Sequence, residues 1–402
     1  MTVTINKSIA NGRVKAPPSK SMAHRYLICG ALSDNSEIKG IEYSKDIEAT
    51  LSGLIALGAN VEVNDKTIII GGIDFNKSPK SNIINCNESG STLRFLIPIC
   101  LLFNKEIKLC GSVRLFERSL FVYEQICKAQ GIKFSKTKDS LTVCGRLSSG
   151  KYSVSGSISS QFISGLIFAL SQLEDDSVIE ITDNLESASY LNLTIKALAK
   201  FGVRISKTDE RTVFIKGNQR YKNRSVTVEG DYSNAAFLDA FNLIGGNVAV
   251  TGLSKNTAQG DSVYKEYFAL LQNGNPTLDL SDCPDLAPIL MSVAALYNGA
   301  VFTGTKRLKI KESDRGEVMR AELSKFGSSV TVEDNKITVN KAKLTTPTGL
   351  LNGHNDHRIV MSLAVLASVT GGEIFGAEAV SKSFPDFFDK IKSLGIDLKV
   401  NV

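Results

Sequence analysis

Apolar and polar positions along this chain switch between two periods, and the switch itself recurs. Six times a stretch with helical spacing runs into a glycine and then straight into an alternating stretch. The copies are LIALGANVEV, ICKAQGIKFSK, ALAKFGVRISK, LLQNGNPTLDL, ELSKFGSSVTV and KIKSLGIDLKV. A period of 3.6 lines up one face of a helix and a period of two lines up one face of a strand. The junction residues Gly58, Gly131, Gly202, Gly274, Gly327 and Gly395 can each take the left-handed conformation that closes a helix and turns the chain. Copies recur after roughly 70 residues, with a shorter step between the fourth and fifth, which is long for a solenoid and suits small packed subdomains.

Between the copies lie short strand-like runs, KTIIIGG, DSLTVCG, RTVFIKG and NKITVNK, each ending near a turn residue. TLRFLIPICLLF and HRIVMSLAVLASV are apolar nearly all round, which predicts helices buried on most sides. The order reads as βαβαβ-like units in series, hence an α/β fold with mixed sheets. A boundary is expected near EGDYSNAAF, where Gly230 and Asp231 follow a strand and open a helix. Without a proline-rich or low-complexity linker, the domains are expected to be closely joined.

Composition narrows the function. The 402 residues suggest two or three domains, and 43% hydrophobic with 22% charged residues is ordinary for a globular protein. A net charge of +6 suits a protein that handles anions but lacks the clustered basic run of a nucleic-acid binder. The start MTVTINKSIANG has no apolar leader core and no window reaches membrane-spanning length, so no membrane partner is expected. Seven scattered cysteines without a CxxC pair argue for reduced thiols in a cytoplasm, not for disulfides or zinc.

Candidate chemistry gathers where turns run into helices. Pro17-Pro18-Ser19-Lys20-Ser21-Met22-Ala23-His24-Arg25 stiffens an approach and brings Lys20, Ser21 and Arg25 together at a helix start, where free N–H groups favour anions. Asn87-Glu88-Ser89-Gly90-Ser91-Thr92-Leu93-Arg94 is a second such cradle, with Gly90 leaving room for a ligand. Arg118 follows in LFERSL. The hydroxyl-rich run Ser155 to Gln161, with Ser159, Ser160 and Gln161 nearest the helix, can read a polyol or phosphate, and Ser187 and Tyr190 add two hydroxyls.

In the second half, Asp285 precedes a buried helix, where a simple cap is the plainer reading. Lys311-Glu312-Ser313-Asp314-Arg315 reads by default as a surface salt-bridge ladder. Asn355-Asp356-His357-Arg358 opens another apolar helix, and three histidines in all are too few to suggest a zinc centre. Lys382 stands in VSKSFPDFF. Eight basic residues, Lys20, Arg25, Arg94, Arg118, Lys311, Arg315, Arg358 and Lys382, would roughly balance two phosphorylated carboxylic acids without a metal.

Taken in order, PPSKSMAHR, NESGSTLRF, ISSQF, the PD of CPDLAP, KESDR, NDHR and KSFPDF resemble the signature segments of the EPSP synthase family. The resemblance spans nearly the whole chain. It implies a two-domain inside-out α/β barrel, each domain made of three βαβαββ subdomains. Residues 1–18 with 230–402 would form one domain and 19–229 the other, with the active site in the cleft between them.

It implies, too, that the carboxyvinyl group of phosphoenolpyruvate moves to the 5-hydroxyl of shikimate 3-phosphate by addition and elimination, with no cofactor, in a monomeric enzyme. Shikimate 3-phosphate would be bound by Ser21, Arg25, Ser159, Ser160, Gln161, Ser187, Tyr190, Asp285 and Lys311. Phosphoenolpyruvate would be bound by Lys20, Gly90, Arg94, Arg118, Gln161, Arg315, His357, Arg358 and Lys382. Asp285 would act as base and Glu312 as proton donor to C3, with its pKa raised in a closed cleft; Lys20 would assist. Glyphosate would compete with phosphoenolpyruvate. Two departures from the family pattern lie near that site: Ser119 stands where proline often follows the arginine, and Phe95 is bulkier than usual.

Two alternatives remain open at this point. One is an enolpyruvyl transferase acting on UDP-N-acetylglucosamine, against which stand Ser21 after the lysine and a GSVRLFER loop without cysteine. The other is a non-catalytic anion- or RNA-binding module, against which stand the modest charge and the carboxylates Asp285 and Glu312.

Overall fold

The computed structural model describes residues 1–401; Val402, the last residue of the expected C-terminal part, lies outside the described residues. The chain divides into two compact units, Met1–Pro17 with Gly230–Val402, and Pro18–Glu229. Pro18 therefore falls with the second of these.

Each unit is built from small mixed sheets. Among the described residues, five sheets have four strands and one has two. The sheet of Ile83–Asn85, Ile107–Cys110, Ser140–Cys144 and Lys133–Lys136 is representative. Its first pair runs parallel across a helical crossover, and its last pair is an antiparallel hairpin. This is the βαβαββ pattern, and Gly58, Gly131, Gly202 and Gly327 each enter such a hairpin, while Gly395 enters the strand Leu398–Asn401 that pairs with the N-terminal strand; all five have positive φ, between 67° and 114°.

Gly274 breaks the rule. It is extended, with φ 178°. The chain passes from the helix Tyr264–Asn273 directly into Thr277–Asp279, the parallel edge of the next sheet, so no hairpin needs turning there. The shorter fourth-to-fifth step in the sequence is this missing hairpin. The subdomain concerned keeps only the parallel pair Asn11–Lys15 and Asn247–Thr251. The N-terminal strand Thr2–Ile5 is hydrogen-bonded between Gly372–Phe375 and Leu398–Asn401.

Apolar helices fill the cores. In the Pro18–Glu229 unit we label α1 (Lys20–Ala31), α2 (Lys45–Ala56), α3 (Gly90–Cys100), α4 (Ser160–Leu170) and α5 (Ala188–Lys200). Helix α3 packs on α4, and α1 packs on α2 and α5. In the other unit, α6 (Ala287–Leu296) packs on α7 (Arg315–Lys325) and α8 (His357–Thr370). As their all-round apolar pattern predicts, α3 and α8 are buried along almost their whole length.

Pro98 inside α3 has no N–H to offer the carbonyl of Arg94 one turn earlier. The buried Tyr123 hydroxyl donates to that carbonyl at 2.6 Å instead. Gly165 on α4 makes the approach possible, because a Cβ there would meet the Tyr123 hydroxyl and lie 2.5 Å from the same carbonyl oxygen.

Candidate active site

The Pro18–Glu229 unit holds a hydroxyl-rich, cationic cluster at the starts of its helices. Ser19, Ser89 and Ser159 cap α1, α3 and α4, each side chain accepting a backbone N–H of the first turn. Lys20 Nζ meets Asp46 Oδ2 at 2.8 Å, a partner the sequence reading did not single out. Arg25 is fully enclosed. Its Nε donates to Thr194 Oγ1 at 2.8 Å, and its two terminal nitrogens donate to the carbonyls of Ser21 (2.6 Å) and Tyr190 (2.8 Å). Its guanidinium also lies 5.2 Å from the centroid of Phe95. Burial pushes the Arg25 pKa down to about 10, which still leaves it charged at neutral pH.

Around Gly90 the packing is tight. A Cβ on this residue would lie 2.5 Å from Arg118 Nη1, so the absence of a side chain is what lets Arg118 lie over the start of α3. Arg94 donates to Gln161 Oε1 at 2.7 Å and to the Ser119 carbonyl at 3.4 Å, and Gln161 donates onward to Ser91 Oγ at 2.9 Å. Gly90, Arg94, Arg118 and Gln161 thus form one group, as do Ser21, Arg25 and Tyr190. Ser187 precedes α5 in the left-handed region, φ 58°. The serine run divides: Ser155 and Ser157 bond to Asp183, while Ser159 and Ser160 start α4. Phe95 is wholly buried against Phe168 and so does not crowd the helix start.

A buried relay ties these starts together. His24 Nδ1 pairs with Thr50 Oγ1 at 2.7 Å, Thr50 with Thr92 Oγ1 at 2.6 Å, and Thr92 with Ser89 Oγ at 2.7 Å. Burial first, then Lys20 and Arg25, hold the His24 pKa well below its ordinary value, so the ring is neutral. His24 and Thr92 lie inside the PPSKSMAHR and NESGSTLRF segments, whereas Thr50 lies on α2, which carries no such segment.

The second cluster lies in the other unit and is built on Arg315, whose side chain is 0% exposed. The surface ladder expected for Lys311-Glu312-Ser313-Asp314-Arg315 does not form, because carboxylates from elsewhere in the unit draw the arginine inward. Arg315 donates from Nε to Asp356 (2.9 Å), from Nη1 to Asp285 (2.8 Å) and from Nη2 to Glu312 (2.8 Å). Burial would lower its pKa, but Asp356, Glu312 and Asp285 raise it well above the ordinary value.

Asp285, whose side chain is 17% exposed, is the other hub. Its Oδ1 takes Arg315 and Lys311 Nζ (3.3 Å), and its Oδ2 takes Arg358 Nη2 (2.8 Å). Burial alone would raise its pKa; Arg358, Lys311 and Arg315 overcome that and hold it well below the usual carboxylate range. Burial also pushes Lys311 down to about 8, against the pull of Asp285. Asp356, missed as a site residue because it reads as a plain cap, accepts the Arg358 N–H at the start of α8 as well as Arg315 and Ser313. His357 is buried beside it, its Nδ1 4.0 Å from Asp356 Oδ1. Lys382 Nζ donates to the Asn355 carbonyl at 2.6 Å.

The cations singled out in the sequence therefore fall in two groups, Lys20, Arg25, Arg94 and Arg118 in one unit and Lys311, Arg315, Arg358 and Lys382 in the other. The first can bind anions through cations and hydroxyls. The second stores ionised carboxylates against cations, the equipment for moving protons in a charged site.

Comparison with known proteins follows the same lines. The profile of EPSP synthase (3-phosphoshikimate 1-carboxyvinyltransferase) matches residues 5–391. The chain is 41% identical over 416 residues to a 3-phosphoshikimate 1-carboxyvinyltransferase of Clostridium perfringens, covering 98% of both chains. It is likewise 41% identical to one of Clostridium acetobutylicum, again over 98% of both. Among solved structures, an EPSP synthase from Acinetobacter baumannii shares the fold with TM-score 0.80 at 21% identity over the full length of both chains. The enolpyruvyl transferase NikO from Streptomyces tendae shares it with TM-score 0.76 at 13% identity, over 99% of this chain and 98% of that one.

Proposed function

Because the chain belongs to the EPSP synthase family, and so transfers the carboxyvinyl group of phosphoenolpyruvate to shikimate 3-phosphate, we propose that the two clusters are the machinery of that transfer. The observation that carries this reading is the Asp285 carboxylate shared by Lys311, Arg315 and Arg358. A surface ion pair needs no such convergence. A carboxylate that must stay ionised and later take a proton does.

On this reading Ser21, Arg25, Ser159, Ser160, Gln161, Ser187, Tyr190, Asp285 and Lys311 hold shikimate 3-phosphate, Arg25 also donating to the Tyr190 carbonyl. Lys20, Gly90, Arg94, Arg118, Gln161, Arg315, His357, Arg358 and Lys382 hold phosphoenolpyruvate. Glu312 gives a proton to the vinyl C3, the 5-hydroxyl oxygen attacks C2, and its proton passes to Asp285. The tetrahedral adduct then loses phosphate, which leaves with the proton held by Asp285, and a C3 proton returns to Glu312, restoring the alkene and both carboxylates. Lys20 assists by stabilising the phosphate oxygens. Cationic clamps lower the cost of the charge that develops.

Anionic substrates would share the cations that surround Asp285 and Glu312. Asp285 becomes a better base as they do, and Glu312, ion-paired with Arg315 in the structure, becomes able to carry a proton. Glyphosate, an anion of similar size, is expected to compete with phosphoenolpyruvate. The protein would act as a monomer in the cytoplasm, on small molecules and without nucleic acid or membrane; free thiols at all seven cysteines support that setting.

Phosphate release from phosphoenolpyruvate tests the reading, with shikimate 3-phosphate or UDP-N-acetylglucosamine as acceptor. Release with shikimate 3-phosphate alone is expected. Release with the nucleotide sugar, or with neither acceptor, would overturn it.

A further inference from the structure

We propose that Glu322 and His354 are a positioning pair that sets Lys382 for phosphoenolpyruvate, a role that rests on the reading above for the substrate but on geometry alone for the lysine. Glu322 stands near the end of α7, the helix that begins with Arg315. Its side chain is 2% exposed, and its two oxygens collect four hydrogen bonds from three donors. Lys325 Nζ reaches both at 2.9 Å, the Asn352 backbone N–H reaches Oε2 at 3.0 Å, and His354 Nε2 reaches Oε1 at 3.0 Å. A carboxylate only accepts, so Nε2 carries the hydrogen. Lys325 also donates to the Leu350 carbonyl at 2.9 Å. One buried carboxylate thereby gathers the segment from Leu350 to His354.

That segment is strained at the point where it meets the site. His354 and Asn355 are consecutive non-glycine residues in the left-handed region, with φ 48° and 54°. Such a conformation is unfavourable for a residue with a Cβ, and persists only where surrounding contacts enforce it. The enforcing contacts are the turn's own bond, Asp356 N–H to the Gly353 carbonyl at 2.9 Å, the His354 N–H donated to Asn352 Oδ1 at 2.8 Å, and the Glu322 bond that fixes the His354 ring. What the strain delivers is the Asn355 carbonyl, aimed at Lys382 Nζ at 2.6 Å, with Asp356 following at once to receive Arg315. Turning residue 355 out of this region would swing its carbonyl away from Lys382. Burial would raise the pKa of Glu322, yet His354, Lys325 and the Asn352 N–H hold it below the ordinary value, in keeping with a carboxylate kept ionised for this task.

The decisive variants are His354→Ala and His354→Gln, since His354 is part-exposed and its loss leaves the core intact. Glutamine offers an N–H₂ donor near the position of Nε2. Two measurements separate the lysine's placement from the enzyme's substrate. The first is competitive acylation with acetic anhydride, read by mass spectrometry as Lys382 reactivity relative to the exposed Lys77. In His354→Ala it is expected to rise several-fold, and in His354→Gln to return to the wild-type value. The second is steady-state kinetics. For His354→Ala the KM for phosphoenolpyruvate is expected to rise about 5- to 20-fold, with the KM for shikimate 3-phosphate within about twofold; the glutamine variant should restore it.

Unchanged Lys382 labelling in His354→Ala overturns the proposal. So does raised labelling with a wild-type KM for phosphoenolpyruvate, or an equal rise in both KM values. A wild-type protein that turns over neither substrate sinks the functional reading instead, and the labelling arm then decides the positioning claim by itself.

Discussion

The two clusters use the same cations in opposite ways. In the Pro18–Glu229 unit, Arg25 and Arg94 spend their N–H groups on neutral oxygens, those of Thr194, Ser21, Tyr190, Gln161 and Ser119; Lys20 meets one carboxylate, Asp46. In the other unit, Lys311, Arg315 and Arg358 are bonded to Asp285, Glu312 and Asp356. The first arrangement orients Arg25 and Arg94 by neutral acceptors, which fix a guanidinium in place without cancelling its charge. The second is nearly compensated and gives up its internal pairs only when a stronger anion competes. Preorganised charge suits binding, while exchangeable charge suits proton transfer, because the basicity of a carboxylate follows the cations it keeps.

If that division is right, removing a carboxylate from the second cluster should hurt turnover far more than removing one from the first. Asp285→Asn preserves shape but leaves three cations facing a neutral amide. Its kcat should fall by about 10²- to 10⁴-fold, the range for loss of a general base. Asp46→Asn should change kcat by less than about tenfold and act mainly on the KM for phosphoenolpyruvate. Steady-state phosphate release on both variants checks this, and equal losses would erase the contrast.

Gly90→Ala sharpens the binding side. The added Cβ meets the far end of a flexible side chain, Arg118 Nη1, which can move aside. The melting temperature should therefore stay near that of the wild type, while the KM for phosphoenolpyruvate rises by about tenfold as Arg118 is displaced. A drop in melting temperature with unchanged KM would mean that the close approach serves folding only.

The pH response should separate the clusters further. Lys311 loses its proton near pH 8 in the folded protein, below the ordinary lysine value, because burial disfavours the charge. Above that pH the second cluster has one cation fewer for Asp285 and shikimate 3-phosphate. The kcat/KM for shikimate 3-phosphate should fall as pH rises through about 8, and Lys311→Arg should move the fall to higher pH. For stability the sign is opposite. Between about pH 8 and the ordinary lysine pKa the unfolded chain binds more protons at this position, so the contribution of Lys311 to stability rises with pH there.

Much of this was legible in the chain. The period switch at each glycine reports the subdomains, because a helix that runs into a hairpin needs a left-handed residue at that point, and even the short step before Gly327 marks a hairpin that is absent. The cations were visible because they stand in turn-to-helix motifs. Their partners were not. Asp46 and Asp356 look like ordinary first-turn and cap residues, and Glu322 sits in a helix of mixed charge where it reads as a solvated face. Each acquires its role from a residue far along the chain, Arg315 for Asp356 and His354 for Glu322, and local pattern carries no information about such pairs. The KESDR segment failed as a surface ladder for the same reason.

The smallest expected effect concerns how the first cluster is held. Pro98 deprives the Arg94 carbonyl of its helical partner, and Tyr123 replaces it from another element. Tyr123→Phe keeps the ring against Phe162 but leaves that buried carbonyl without its donor. The cost should be about 1–3 kcal/mol of unfolding free energy, the usual penalty for orphaning a buried acceptor, measured by urea titration. Because the Arg94 side chain keeps Gln161 and Ser119, catalysis at saturating substrate should change less than about twofold. The double variant Tyr123→Phe with Pro98→Ala sharpens the claim: alanine restores an N–H for the Arg94 carbonyl, so part of the lost stability should return. If it does not, the tyrosine is stabilising α3 through packing, and the proline is unrelated to its hydroxyl.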